Sequence, residues 1–489
     1  MLNYNVRNRI RESWEKELIE IVYLKKPVLI LTAVYVIGFY SIFRANFNYL
    51  DDLGRKHSGY HGWLDWSRWF TQIFSNFLHA DLYLSDISPL PQMLACILLA
   101  MGSAILLRVF GREKKIGLVS IAAASLTGLT PYFLGIISYK YDSPYMAFSF
   151  FVSVFPFLFY RKKKAIYVTV SFVCLLLMCT SYQASSGIYP LVTIFLALYD
   201  LNEGEKWKDS IGFIISSLIS YAAALFGFRF LLMRPNEAAV FSLGELLHGR
   251  FFQKYLLFYS NVYFDFKASW KILIFLLVLL FFTSFVLHSK MNKILALILS
   301  IAGVFAGSFV CFGVNLIMDI PKFDARAMYG LGALLAVMAV CVSFYEKKIL
   351  FDVVCAALCW CFFTFSLSYG NALAVQQDYL NYRVQLAAGD LNSLENMNTE
   401  DEKTLQIRGD IGLSPVIVNM SEGFDMLERL VPSGFSEGYW GEYYFVNYFN
   451  IPNIEQTGET IDINQLPVLK DTMYHTIYGD GQSVVIELK

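Results

Sequence analysis

The sequence predicts a polytopic α-helical membrane protein that ends in a small α+β domain outside the membrane. Three observations carry this. Apolar residues make up 56% of the 489 and aromatic residues 17%, against 16% charged. The apolar residues gather in long runs that recur along the first three quarters of the chain and then stop. The charge divides at the same place: residues 371–489 hold eighteen acidic and six basic side chains, a net of −12, which leaves the rest at +11 within a whole-chain charge of −1.

A helix crosses about 30 Å of hydrocarbon with roughly 17 to 25 residues, and only a helix or a closed barrel pairs its own backbone in lipid. About eleven runs meet that length: 27–43, 89–108, 116–137, 144–160, 165–180, 184–200, 210–232, 271–287, 294–314, 327–344 and 349–369. Lys and Arg near span ends stay on the cytoplasmic side. One alternating set of connections holds them: Arg7, Arg9, Arg11, Lys25 and Lys26; Arg108, Arg112, Lys114 and Lys115; Arg161 to Lys164; Lys290 and Lys293; Lys347 and Lys348. The N-terminus is therefore expected inside and the tail outside. Residues 1–26 form a charged cytoplasmic segment with no cleavable apolar core, so the first span reads as an anchor.

Residues 27–370 read as the transmembrane part, and 43–88 as its first outer loop. That loop opens on Asp51-Asp52-Leu53-Gly54-Arg55 in an extended segment, continues through Ser58-Gly59-Tyr60 and Gly62-Trp63, and closes on Asp86 to Gln92. Between them Trp63, Trp66, Phe70, Ile73, Phe74 and Phe77 recur at three- and four-residue steps, opposite Asp65, Arg68, Gln72 and Asn76. This is an amphipathic helix suited to the membrane–water interface. Asp142 sits in the next outward connection, Tyr139 to Pro144, and either binds hydroxyl groups or caps the following helix. Tyr182-Gln183 ends the fifth span, where Gln183 either meets a ligand or is satisfied locally. Arg326 enters the tenth span behind Pro321 to Ala325, where a helix start adds positive field.

The tail, 371–489, alternates helical and strand patterns. Ala372 to Leu394 and Phe424 to Val431 read as helices. Val416-Ile417-Val418, Thr472 to Tyr478 and Ser483 to Leu488 read as strands, the last two joined by a turn at Gly479 to Gln482. All eight cysteines lie in the apolar runs, so packing and not bridging is expected to hold the outer domain. No metal site is expected: the aspartates are adjacent, and His57, His61 and His79 lack close ligand spacing.

The order of these outer-loop motifs resembles the serotype-converting O-antigen glucosyltransferases, the glucosyl transferase II family. The resemblance is specific over roughly the first 190 residues and only in layout beyond. It implies a GT-C-type architecture in the bacterial inner membrane and a polyprenyl-phosphate donor carrying glucose or another hexose. It also implies a lipid-linked glycan acceptor, no cofactor, and contact with membrane lipid but not nucleic acid. Association with the flippase and the donor-making synthase is a further expectation. The resemblance assigns the catalytic base to the acid pair, Asp51 or Asp52, and places Asp142 and Gln183 at matching positions. Arg55, Tyr60, Trp63 and Arg326 complete the expected substrate-binding set.

Such a transfer needs a carboxylate to take the acceptor's proton and cations to meet charge on the departing phosphate. A single displacement inverts the anomeric carbon. An O-antigen ligase or polymerase shares the lipid substrate and is the competing class; a transporter would place charges at mid-membrane, whereas here the acids collect at outer span ends.

Overall fold

The computed structural model describes residues 24–234, 250–318, 321–345, 349–394, 401–448, 453–457 and 460–489. The bases of residues 1–23 and of 346–348 lie outside these.

Seven helices are long and apolar enough to cross a membrane: Leu90–Gly111, Gln183–Asn202, Trp207–Leu232, Ala268–Leu287, Lys293–Val310, Ala325–Ser343 and Ile349–Asn392. An eighth crossing is broken. Leu118–Leu129 and Pro131–Ile137 meet at 60°, because Pro131 has no N–H to give and holds Thr130 extended, at ψ 134°. Two shorter apolar helices, Ser143–Phe159 and Lys164–Cys179, and the helical residues 24–38 with Tyr40–Ala45 occupy the remaining apolar runs.

The bundle is layered by burial. Ala325–Ser343 is 94% buried and forms the centre, whereas Lys293–Val310 is 22% buried and Trp207–Leu232 28%, leaving their apolar side chains for lipid. Small residues let the inner helices approach closely. Gly370 lies against the Ser41 hydroxyl and the Ile42 backbone N–H, where no Cβ fits.

The tail carries one five-stranded sheet in the order β2-β1-β5-β4-β3, with β1 Lys403–Arg408, β2 Ile454–Gln456, β3 Val468–Asp471, β4 His475–Gly479 and β5 Ser483–Leu488. β1 runs parallel to β2 and β5, and β4 antiparallel to β3 and β5. Leu405, Ile407, Ile477, Val484 and Ile486 pack from the sheet onto Val384, Ala387 and Leu391 of the long helix. The same core takes in Leu53 from the acid-pair segment, so the C-terminal domain is built onto the Asp51–Ser58 segment and does not hang free of it.

Four local expectations need correction. The acid pair is not in an extended segment but in the first turn of a helix, Asp51–Ser58, with Arg55, Lys56 and His57 in its last turn. That placement of charge matches the helix dipole at both ends. Val416 to Val418 are helical, within Pro415–Ser421, because the Ser414 hydroxyl accepts from the Val416 N–H and Pro415 fits the first helical position. Ala372 to Leu394 is no separate helix: Ile349–Asn392 runs unbroken for 44 residues, since Gly370 is packed and no proline interrupts it. Trp63 leaves the interfacial face, being fully buried against Tyr145 and Leu84, whereas Ile73 and Phe77 of Trp69–His79 remain exposed at 69% and 80%.

Candidate functional site

The backbone leading into the acid pair is strained. Leu50 takes φ 47° and ψ −105° directly before Asp51, a conformation that costs a side-chain-bearing residue about 1–3 kcal/mol and is retained where the surroundings impose it. Tyr49 imposes part of it, with its ring edge on Tyr139 at 4.9 Å and its hydroxyl donating to the Leu430 carbonyl at 2.7 Å.

The two aspartates then part. Asp52 turns inward and is fully buried. Its carboxylate accepts the backbone N–H groups of Lys140 at 2.9 Å, Tyr49 at 3.3 Å and Tyr141 at 3.4 Å. Burial pushes the Asp52 carboxyl up to about 7, against the downward pull of the Lys140 N–H. Asp51 turns outward, its side chain 32% exposed, and faces Arg326 with Nη1 to Oδ2 at 3.7 Å.

Behind them lies a closed triad. Arg55 forms a buried ion pair with Asp142, and the Trp63 indole N–H donates to the other Asp142 oxygen at 2.6 Å. The Arg55 guanidinium also lies 4.7 Å from the Trp63 ring and donates to the His61 carbonyl at 3.3 Å. With both oxygens occupied, Asp142 holds the loop to the span that follows. Tyr60 stands outside this triad, exposed, 6.0 Å from Arg55.

Arg326 is set by three contacts. Its guanidinium lies 4.5 Å over Tyr139, its carbonyl accepts from the Tyr182 hydroxyl at 3.1 Å, and its charge meets Asp51. The Tyr182 ring carries the Arg68 guanidinium at 5.0 Å, whose Nε is buried without a hydrogen-bond partner among the described residues. A cavity of about 220 Å³ opens here, lined by Tyr49, Leu50, Tyr139, Asp324, Arg326 and Arg429 among others. Among the described residues, no group of three or more His, Cys, Asp or Glu side chains is placed to hold a metal ion.

The structure thus brings together Asp51, Asp52, Arg55, Tyr60, Trp63, Asp142 and Arg326, from segments nearly 300 residues apart in sequence. Gln183 stands slightly apart and donates to the Trp66 carbonyl at 3.0 Å, tying the interfacial segment to the bundle. Sequence reasoning missed Arg429. It reaches from the tail into the cavity wall, pairs with Asp265 at 2.8 Å and donates to the Phe323 carbonyl, while Tyr132 donates to the same Asp265 at 2.6 Å. An arginine in a short tail helix carries no sequence signal for a partner more than 160 positions away.

A family model described as "Glucosyl transferase GtrII" matches residues 40–337, which contain every residue of this cluster except Arg429. The chain is also 29% identical over 180 residues to an "Uncharacterized 55.3 kDa protein in gtrB 5'region" of Salmonella phage P22, covering 36% of this chain and 35% of that one. The chain therefore spans about a third of the length of this curated relative. No solved structure matches.

Proposed function

The chain belongs to the glucosyl transferase GtrII family, and on that premise we propose that it moves a hexose, glucose foremost, from a polyprenyl-phosphate donor to a lipid-linked O-antigen or other surface polysaccharide. The observation that carries this reading is the pairing of a partly exposed carboxylate, Asp51, with the guanidinium of Arg326, a residue of the cavity wall, 3.7 Å away.

In the proposed reaction an acceptor hydroxyl passes its proton to Asp51 as its oxygen bonds to the anomeric carbon. The bond from that carbon to the phosphate oxygen breaks, and the electron pair leaves with the phosphate. Arg326, whose guanidinium lies over Tyr139, and Arg68, over Tyr182, meet the growing negative charge. One displacement by one base inverts the anomeric configuration, by analogy with inverting glycosidases. Asp52 is the less suitable base, because its oxygens are sealed against the Lys140 and Tyr141 backbone. Asp142, Arg55 and Trp63 position the loop, and Tyr60 and Gln183 flank the substrate path.

The remaining parts of the proposal follow from the layout. The chain crosses the bacterial inner membrane about eleven times, in the GT-C manner, with residues 1–26 inside, 27–370 as the transmembrane part and 371–489 as an outer domain. The basic loops support this orientation: Arg112 and Arg161 both pair with Asp200 at the end of the bundle away from the acid pair.

The test is transfer of radiolabelled glucose from synthetic polyprenyl-phosphate glucose to lipid-linked glycan, with EDTA present. The Asp51→Asn variant is expected to lose activity by about 10²-fold or more, while Asp52→Asn retains the chemical step. Full activity in both variants would move the base elsewhere. A wild-type protein inactive with every polyprenyl-phosphate sugar, yet able to join preassembled glycans, would favour the ligase class.

A further inference from the structure

Just beyond the acid pair, the outer domain and the first loop jointly expose a set of aromatic rings. Tyr60, Tyr83 and Tyr439 are 43%, 53% and 61% exposed. They come from three separate segments, yet they are tied into one surface. Gly54, one turn from Asp51 on the same helix, sits under both Tyr60 and Trp440: a Cβ there would stand 3.1 Å from the first ring and 3.2 Å from the second. Gly59, at φ 64°, leaves room for the Tyr83 ring, and Gly62, at φ 67°, for Tyr60. His57 joins the two halves through a 2.8 Å hydrogen bond to the Tyr443 hydroxyl. Tyr439, Trp440 and Tyr443 then lie with ring centroids 5.0 to 6.0 Å apart.

We infer that this surface is the acceptor-glycan subsite, on which sugar rings of the polysaccharide precursor stack while one hydroxyl is presented to Asp51. The inference rests on the transferase reading above. Contiguous exposed aromatics rimmed by polar groups mark binding surfaces, and the rings pair an apolar face with a polar edge, as the faces and hydroxyls of a sugar require. The exposed Glu437, two residues before Tyr439, supplies an acceptor for hydroxyl groups. The tail's net charge of −12 favours a neutral glycan over an anionic one. Distance fits as well. Six residues of helix from Asp51 to His57 rise about 9 Å, the scale of a disaccharide. Lipid is the other occupant that exposed aromatics suit, but the lipid-facing side chains of this loop, Ile73 and Phe77, belong to another helix, Trp69–His79. The family match ends at residue 337, so the tail half of the platform lies outside it.

The experiment uses the full-length protein in nanodiscs, with delipidated O-polysaccharide from the source strain as probe. Two readouts are taken: saturation-transfer NMR of the polysaccharide, and acceptor KM, donor KM and kcat in the transfer assay. Tyr439→Ala and Tyr83→Ala are each expected to raise acceptor KM by roughly tenfold, the size of one lost ring contact, with kcat and donor KM unchanged and with saturation transfer weakened. Tyr439→Trp should restore both. Unchanged acceptor KM in an active enzyme, or equal rises in acceptor and donor KM, would overturn the inference. If the wild type transfers no hexose the catalytic reading fails, and the NMR contrast between wild type and Tyr439→Ala still decides whether the platform holds glycan.

Discussion

Two neighbouring aspartates end in opposite surroundings because of groups far away in sequence. Asp52 is claimed by N–H groups of Tyr49, Lys140 and Tyr141, and Asp51 is left to Arg326. Nothing in Asp51-Asp52 itself distinguishes them, so the sequence names the pair but not the member. Burial raises the Asp52 value to about 7, above the ~3.9 of an unfolded aspartate. The fold therefore binds this proton more readily than the unfolded chain. Its contribution to stability is full below about pH 4 and is lost as pH rises through 7. Thermal melts of the detergent-solubilised protein should show a downward slope in Tm between those limits, flattened in Asp52→Asn. An equally steep slope in the variant would assign it to another group. The triad makes a second residue-scale prediction: Asp142→Ala leaves Arg55 buried without its partner and should destabilise by about 3–5 kcal/mol, read as lost folded yield, whereas an unchanged yield and melt would show that Arg55 finds another partner.

Elements were legible where one period ran long enough. The apolar runs foretold the seven long helices, the break at Thr130-Pro131 excepted, because lipid imposes a single length rule. The short pieces were not, since five to eight residues carry too little periodicity. Asp51–Ser58 contains one leucine, and Pro415–Ser421 looks like a strand until Ser414 caps it. The sequence of Ile349–Asn392 reads as two helices because its apolar run ends near residue 369, although the backbone has no reason to stop. Its close approach to the first span at Gly370 is testable. Gly370→Val places a side chain against the Ser41 hydroxyl and Ile42 N–H, and overpacking of that kind costs about 1–3 kcal/mol. The melting temperature should fall accordingly, and a melt equal to wild type would show that the two helices part without loss.

At the scale of the whole molecule, the sequence gives two materials but not how they join. The join is made by Leu53 in the core of the sheet domain, by the Leu430 carbonyl on Tyr49, and by Arg429 on Asp265. Arg429→Met removes a charge partner from Asp265 and is expected to loosen docking by on the order of 2–3 kcal/mol. Hydrogen exchange would then quicken in Met426–Leu430, while the sheet core stays protected. Equal protection in both would mean that apolar contacts alone hold the domain.

The long helix has a mechanical consequence. Its 44 residues measure about 66 Å, roughly twice the ~30 Å of a bilayer's hydrocarbon. The length beyond one such thickness is a stiff mast clasped by the sheet. Because mast and sheet share one core, a change in the number of helical turns between them and the bundle would carry the whole sheet with it.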